Sequence, residues 1–190
     1  MSLPERESVL AVLRERVANE NLRRHMVATE AIMRAVAGRL GEDVDVWGLA
    51  GLGHDLDAEE TADDFTRHGA ESAELMRGLG LPDEAVHAVA AHNPATGIAA
   101  ESPLDIALLA ADQLSGLITA ATLVRPDKDL TQVKLKSVRK RYREGAFARG
   151  VDREAIARCT ALGLDLGEFL AVGLEAMQGA AAQLGLGEQS

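Results

Sequence analysis

Leu49-Ala50-Gly51-Leu52-Gly53-His54-Asp55-Leu56-Asp57 is an apolar, helix-like run that ends in a histidine and an aspartate side by side. Burying either polar side chain without a partner costs roughly a few kcal/mol, so the pair calls for a hydrogen-bond network or a metal ion. Neighbours on a helix sit about 100° apart, which lets both side chains reach one point just beyond the apolar face. The other ligands are then expected elsewhere in the chain.

Outward from this run, the punctuation is that of short loops between helices. Asp45 is a candidate cap for the helix that leads through Trp47 and Leu49 to His54. Before it, Pro4 is placed to open a first helix, and Asn19 or Asn21 to cap a second whose apolar stripe of Leu22, Met26, Met33 and Val36 also carries His25. After it, an acidic loop from Asp57 to Asp64 leads to His68, where a fourth helix opens. A fifth starts around Leu81-Pro82-Asp83-Glu84 and ends at His92-Asn93-Pro94, because proline disfavours helical geometry in the residue before it. Ser102-Pro103-Leu104-Asp105 is a strong helix start, and Asp112 lies in the apolar helix that follows. A basic helix around Val133, Leu135 and Val138 and helices capped by Asp152 and Asp165 complete an expected nine.

Composition agrees with an all-α fold. Hydrophobic residues make up 47% of the 190 and aromatics 3%, with Ala and Leu dominant, which favours close-packed helices over sheets. The single cysteine, Cys159, excludes an internal disulfide framework and a cysteine-based zinc site, and its spacing from Ile156 and Leu162 points to the core. The acidic start, Met1-Ser2-Leu3-Pro4-Glu5-Arg6-Glu7, lacks the charge and apolar core of a signal peptide, and no apolar run of spanning length is read further on. A cytoplasmic protein without membrane contact is expected.

The net charge of −10 argues against general nucleic-acid binding. It is unevenly spread: Arg125 to Arg158 carries +6 and the remainder −16. Either that segment is a solvated helix face, or it lies over a site for an anionic substrate.

The unusual polar residues, in order, are His25, His54, Asp55, His68, His92 and Asp112, drawn from different helices. Imidazole and carboxylate together suit zinc, iron, manganese, cobalt or nickel rather than calcium or magnesium. Six ligands are too many for one tetrahedral zinc and suit two metals with a bridging carboxylate. Any one of these histidines taken singly reads as well as a hydrogen-bonded core residue.

Taken together, His25, then His54-Asp55, then Asp112 resemble the H...HD...D signature of the HD-domain metal-dependent phosphohydrolases. His68 and His92 resemble the additional ligands of two-metal members, such as the bacterial HD proteins that hydrolyse dinucleoside tetraphosphates. The resemblance covers about residues 20 to 125. It implies an HD domain over residues 1–125 and a basic, then amphipathic, helical extension over 126–190 packed on the same domain. It further implies that His25, His54, Asp55 and Asp112 hold one metal, that His68 and His92 hold a second, and that Asp55 bridges them. Many two-metal relatives read His-Asp-Ile-Gly here, often with a following lysine, where this chain reads His54-Asp55-Leu56-Asp57-Ala58.

The implied activity is hydrolysis of a phosphoester of a small molecule, such as a nucleotide, by a water that two divalent metals activate. His54 and Asp55 stand at the centre of that chemistry. Asp57 either orients a ligand or protonates the leaving group, or else belongs to a solvated acidic loop. Arg67, Arg125, Lys134 and Lys136 are the candidate phosphate contacts, with Arg67 adjacent to a ligand. Ser115 reads as packing or a phosphate contact, and His87, about 140° around its helix from His92, as a residue facing elsewhere. A di-iron HD-domain oxygenase and a non-catalytic metal-binding or regulatory module are the alternatives. The Ala-rich helix from Asp165 offers a face on which two copies could pair as a homodimer.

Overall fold

The structure, a computed structural model, describes residues 3–187; the first two residues of the acidic N-terminal stretch and the last three of the chain lie outside them. Among the described residues the chain is all-α and without strands. The helices are α1 (Arg6–Arg16), α2 (Glu20–Leu40), α3 (Val44–Gly53), α4 (Ala70–Leu79), α5 (Asp83–Ala91), α6 (Pro103–Leu123), α7 (Leu135–Arg143), α8 (Arg153–Ala157), α9 (Leu166–Gly179) and α10 (Ala181–Leu184). Three short 3-10 turns, at Pro94–Thr96, Leu130–Gln132 and Arg158–Leu162, join them. The described residues hold ten α-helices rather than the expected nine because the last one breaks at Ala180 and resumes as the single turn α10.

Local chemistry explains most of the boundaries. The Asn19 side chain accepts from Asn21 N and Leu22 N at the start of α2, and Ser102 and Asp105 form a reciprocal capping box at the start of α6. The cap of α3 is Asp43, which accepts from the backbone N–H groups of Asp45 and Val46; Asp45, in the first turn, instead takes the Arg34 guanidinium at 2.7 Å. The first helix starts after Glu5, not at Pro4. His68 does not open α4 either: Gly69 caps it with φ 90°, and a Cβ there would come within 2.9 Å of the His92 ring.

α6 is the central helix, packed against α2, α5, α7, α8 and α9. By length and composition it is apolar enough to cross a membrane, although no such run was read from the sequence. Its faces are largely buried by its neighbours, and it carries Asp105 and Asp112. α3 lies along α2, with all of Val46 to Gly53 buried. The two approach so closely that a Cβ at Gly51 would sit 3.0 Å from the Glu30 backbone. Glu30 is itself buried, and its carboxylate accepts two bonds from Arg6, at 2.7 and 2.8 Å, and one from Arg34 at 2.9 Å, so its charge is compensated.

One apolar core runs from Val9 in α1 to Leu184 in α10 and includes Cys159. α9 turns Phe169, Leu170, Leu174 and Met177 into it, against α2 and α6. The alanines of this helix and of its C-terminal cap, Ala171, Ala176 and Ala180, stay half-buried.

Candidate metal centre

His54 is the C-terminal cap of α3, so His54 and Asp55 leave the buried end of that helix rather than its flank. His25 projects from α2, His68 stands just before α4, His92 caps the end of α5 and Asp112 comes from the middle of α6. The structure brings all six to one place. His25 Nε2 lies 3.0 Å from Asp112 Oδ1 and 3.5 Å from Asp55 Oδ2. The Nε2 atoms of His54, His68 and His92 lie 3.3, 3.2 and 3.2 Å from Asp55 Oδ1.

Two groups of potential ligands emerge, His25 with His54 and Asp55, and Asp55 with His68 and His92. Asp55 belongs to both. Within each group two imidazole nitrogens face one another, His25 Nε2 and His54 Nε2 at 3.3 Å and His68 Nε2 and His92 Nε2 at 3.3 Å.

The outer ring nitrogens account for this orientation. His54 Nδ1 donates to the Gly51 carbonyl at 2.8 Å, His92 Nδ1 to the Val89 carbonyl at 2.6 Å and His68 Nδ1 to Asp57 Oδ1 at 2.8 Å. Ser115 Oγ donates to the Asp112 carbonyl at 2.8 Å and so offers a lone pair to His25 Nδ1, also at 2.8 Å. Each acceptor fixes the proton on Nδ1 and leaves the Nε2 lone pair pointing inward. Four such lone pairs and two buried carboxylates are a donor set that fits divalent transition metals.

The electrostatics ask for positive charge. Burial opposes protonation of His25, yet the Asp112 and Asp55 carboxylates overcome it and raise His25 from 6.5 to about 10. His68, likewise opposed by burial, is raised to about 10 by Asp55 and Asp57, and His92 is raised chiefly by Asp55. Burial raises Asp112 and Asp55 too, but the surrounding histidines outweigh it and hold both well below the usual carboxylate range. Protons fill the demand when metal is absent, so metal uptake releases them and strengthens as pH rises.

Of the alternatives the sequence leaves for Asp57, its contacts are those of a residue that orients a ligand. It does not sit in a solvated loop: it is fully buried, with Oδ1 on His68 and Oδ2 accepting the backbone N–H groups of Gly69 and Ser72, each at 2.8 Å. Burial pushes its carboxyl up, but His68 and those backbone groups win and keep it ionised below the usual range. It therefore holds His68 and the start of α4 together, and it does not reach the cleft where a leaving group would need a proton.

That cleft, of about 270 Å³, is walled by Asp55, His68, His92 and Asp112 together with Phe65, Asn93, Leu109, Gln113, Gly150 and Asp152. A second hollow of about 360 Å³ lies against His25, between α2, α6 and α10, with Arg24, Asn21 and Thr119 among mainly apolar walls. Neither Arg67, Arg125, Lys134 nor Lys136 lines the cleft. Arg67 pairs with Glu71 and Arg125 with Asp127, while Lys134 and Lys136 are exposed at the start of α7. His87 is half-exposed and pairs with Asp105 at 3.1 Å, away from the cluster.

Sequence reasoning missed two braces. Asn93 is buried, and its Nδ2 donates to the carbonyls of Phe65 at 2.7 Å and His68 at 2.9 Å. Ser115 was read as packing or a phosphate contact and is instead the partner of His25. The spacing of three residues from Asp112, one helical turn, is the signal that could have placed it beside that ligand. Replacing Ser115 with alanine should weaken binding of Mn2+ by about tenfold with the helical content unchanged, because His25 loses its orienting partner. Calorimetric titration reads this directly, and an unaltered Kd would show that Ser115 does not orient the ligand.

Such a bundle, with imidazoles and carboxylates gathered from helix ends onto an open cleft, belongs to the class of all-α metal-binding proteins with hydrolase-like sites. The HD domain family matches residues 22–117, about half of the chain, and the chain belongs to that family. Among curated proteins, Ribonuclease Y of Lawsonia intracellularis is 31% identical over 121 residues, covering 63% of this chain and 23% of that protein. Ribonuclease Y of Desulfotalea psychrophila is 33% identical over 109 residues, covering 57% of this chain and 20% of that protein. The chain thus spans less than a quarter of the length of these relatives. No solved structure matches it.

Proposed function

We propose that the protein hydrolyses a phosphoester of a small molecule, such as a nucleotide, with two divalent transition metals drawn from Fe, Mn, Co, Ni or Zn. The observation that carries this reading is Asp55, shared by both ligand groups at the floor of an open cleft. His25, His54, Asp55 and Asp112 would hold one metal, and His68 and His92, with Asp55 shared between the two groups, would hold the other. Bound there, the metals supply Lewis-acid charge and a water acidic enough to act as a nucleophile near neutral pH.

The chain's own groups do the rest. Asp57 and Ser115 hold His68 and His25 in the ligating tautomer, and the backbone carbonyls of Gly51 and Val89 do the same for His54 and His92. Among the described residues no arginine or lysine lines the cleft, so Arg67, Arg125, Lys134 and Lys136 are kept as contacts only for substrate that extends beyond it. A protein nucleophile is not needed. A non-catalytic role fits less well, because a structural metal site is ordinarily closed by its ligands and this one opens on a cleft. Iron-dependent oxygen uptake would be the mark of the oxygenase alternative.

A second reading, cleavage of RNA, is favoured by the ribonuclease names of the two relatives. The net charge of −10 and a cleft lined, among the described residues, by no arginine or lysine favour the small molecule. The deciding experiment is metal analysis of the purified chain, followed by phosphate release from a broad phosphoester panel and cleavage of a short oligoribonucleotide with Mn, Fe, Co or Ni. Metal-dependent release from a small phosphoester, lost on chelation, is the expected result. Cleavage of the oligoribonucleotide alone would move the assignment to RNA, and inactivity of folded, metal-loaded protein on every substrate would end the hydrolase reading.

A further inference from the structure

The chain has few aromatic side chains, and the fold leaves one of them plainly open. Trp47 and Phe169 are buried, Phe147 lies under the Arg141 guanidinium at 4.5 Å, and Tyr142 donates its hydroxyl to the Arg153 carbonyl. Phe65 is 63% exposed. It stands on the wall of the cleft, with one ring face stacked on the His68 imidazole, centroids 5.1 Å apart and planes 26° from parallel. Its other face has no such partner among the described residues.

Nor is the ring on a loose loop tip. Asn93 Nδ2 donates to the carbonyls of both Phe65 and His68, and Asn93 Oδ1 accepts from Ala95 N at 3.0 Å. One buried amide therefore sets the aromatic ring and a candidate ligand in register. Holding a large apolar ring in water forgoes its burial, which is compensated when a ligand covers it. A flat open face next to a phosphoryl-binding centre matches a planar ring in the organic part of the substrate.

We propose that Phe65 is a specificity-determining residue, the stacking face for a nucleobase or like heteroaromatic ring whose phosphate reaches Asp55 across His68. The inference rests on the phosphohydrolase reading above. A cleft of about 270 Å³ is slightly smaller than the usual ligand site of about 300 to 1,000 Å³, which suits a single nucleotide-sized molecule. Stacking is tolerant of base identity, because every base presents a π face.

The test is calorimetric titration of the full, Mn2+-loaded chain with the non-hydrolysable phosphonate analogues of adenosine 5′-monophosphate and of ribose 5-phosphate, the second of which lacks the base; every other monophosphate and the trinucleotide are used in the same phosphonate form. The wild type is expected to prefer the nucleotide by about tenfold or more, the size of one base stacked on an aromatic ring, with the other three ribonucleoside monophosphates close behind. Phe65→Ala should collapse that ratio to near one, and Phe65→Trp should restore it. A wild type without the preference, or a folded Phe65→Ala variant that keeps it, overturns the inference. A 5′-phosphorylated trinucleotide should bind no tighter than the monophosphate; binding more than about tenfold tighter would overturn the free-nucleotide part. Because these arms read binding, they are separable from the phosphate-release assay: hydrolysis can fail with the base preference intact, or succeed without it.

Discussion

Asp55→Ala is expected to lower kcat/KM for phosphoester hydrolysis by about a thousandfold or more and to reduce bound metal by at least half, since this carboxylate belongs to both ligand groups. Asp55→Asn keeps the volume and should fold equally well while losing the charge. The same substitutions should change the pH profile of the chelated protein. His25 and His68, opposed by burial but raised by Asp112, Asp55 and Asp57, move from 6.5 to about 10 in the fold. A group whose folded pKa is raised contributes stability that is complete below its unfolded value and is lost as pH rises through the folded one. The Tm of chelated wild-type protein should accordingly fall between about pH 6.5 and 10, and Asp55→Ala should flatten that fall. Metal loading should oppose it, because the ligating histidines are deprotonated. Thermal scans from pH 6 to 10, with and without chelator, check all three; a full metal complement in the alanine variant would remove Asp55 from the bridging position.

The parts of this molecule that could be read from the sequence are those set by nearby residues. Caps at Asn19, Ser102, Asp152 and Asp165 act within three positions of themselves, and the apolar run into His54-Asp55 marks a buried helix end by composition alone. The six metal-ligand candidates became legible together, through their resemblance to one family's ligand order, because each histidine taken singly reads as well as a hydrogen-bonded core residue. What hid was set by contacts between distant segments. Asp57 reads as one acid among many up to Asp64 until the backbone of α4 folds back on it, and its burial comes from Gly69 and Ser72, 12 and 15 residues on. Asn93 looked only like a helix stop, since its carbonyl partners lie on the segment at Phe65 and His68. Charge proved the weakest guide. Arg67 and Arg125 stand near the right sequence positions, yet each finds a carboxylate on its own surface and neither faces the cleft.

Asp57→Ala should be the most destabilising change outside the ligands themselves. It removes a buried carboxylate that accepts from one imidazole and two backbone N–H groups, leaving Gly69 N and Ser72 N without their acceptor in a dry site. Hydrogen bonds to a charged group are worth about 1.5 to 3 kcal/mol each, and stranded donors cost more, so a net loss of about 3 kcal/mol is expected. For a chain of this size that corresponds to a fall in Tm of roughly 6 to 12 °C. The effect carries a pH signature. Burial raises the carboxyl, but His68 and the backbone donors hold it below its ordinary value of 3.8, so its contribution is present above that pH and lost as pH falls through the folded value. Asp57→Asn should therefore be less sensitive to acid than the wild type over that window. Metal binding separates a brace from mere packing. With His68 free to rotate or to carry its proton on Nε2, affinity for the metal it ligates should drop by about ten- to a hundredfold, while the metal held by His25 and His54 is retained. Titration with Co2+, followed by its visible spectrum, should then show one tight and one weakened equivalent, and two undisturbed equivalents would mean that Asp57 stabilises the turn without orienting His68.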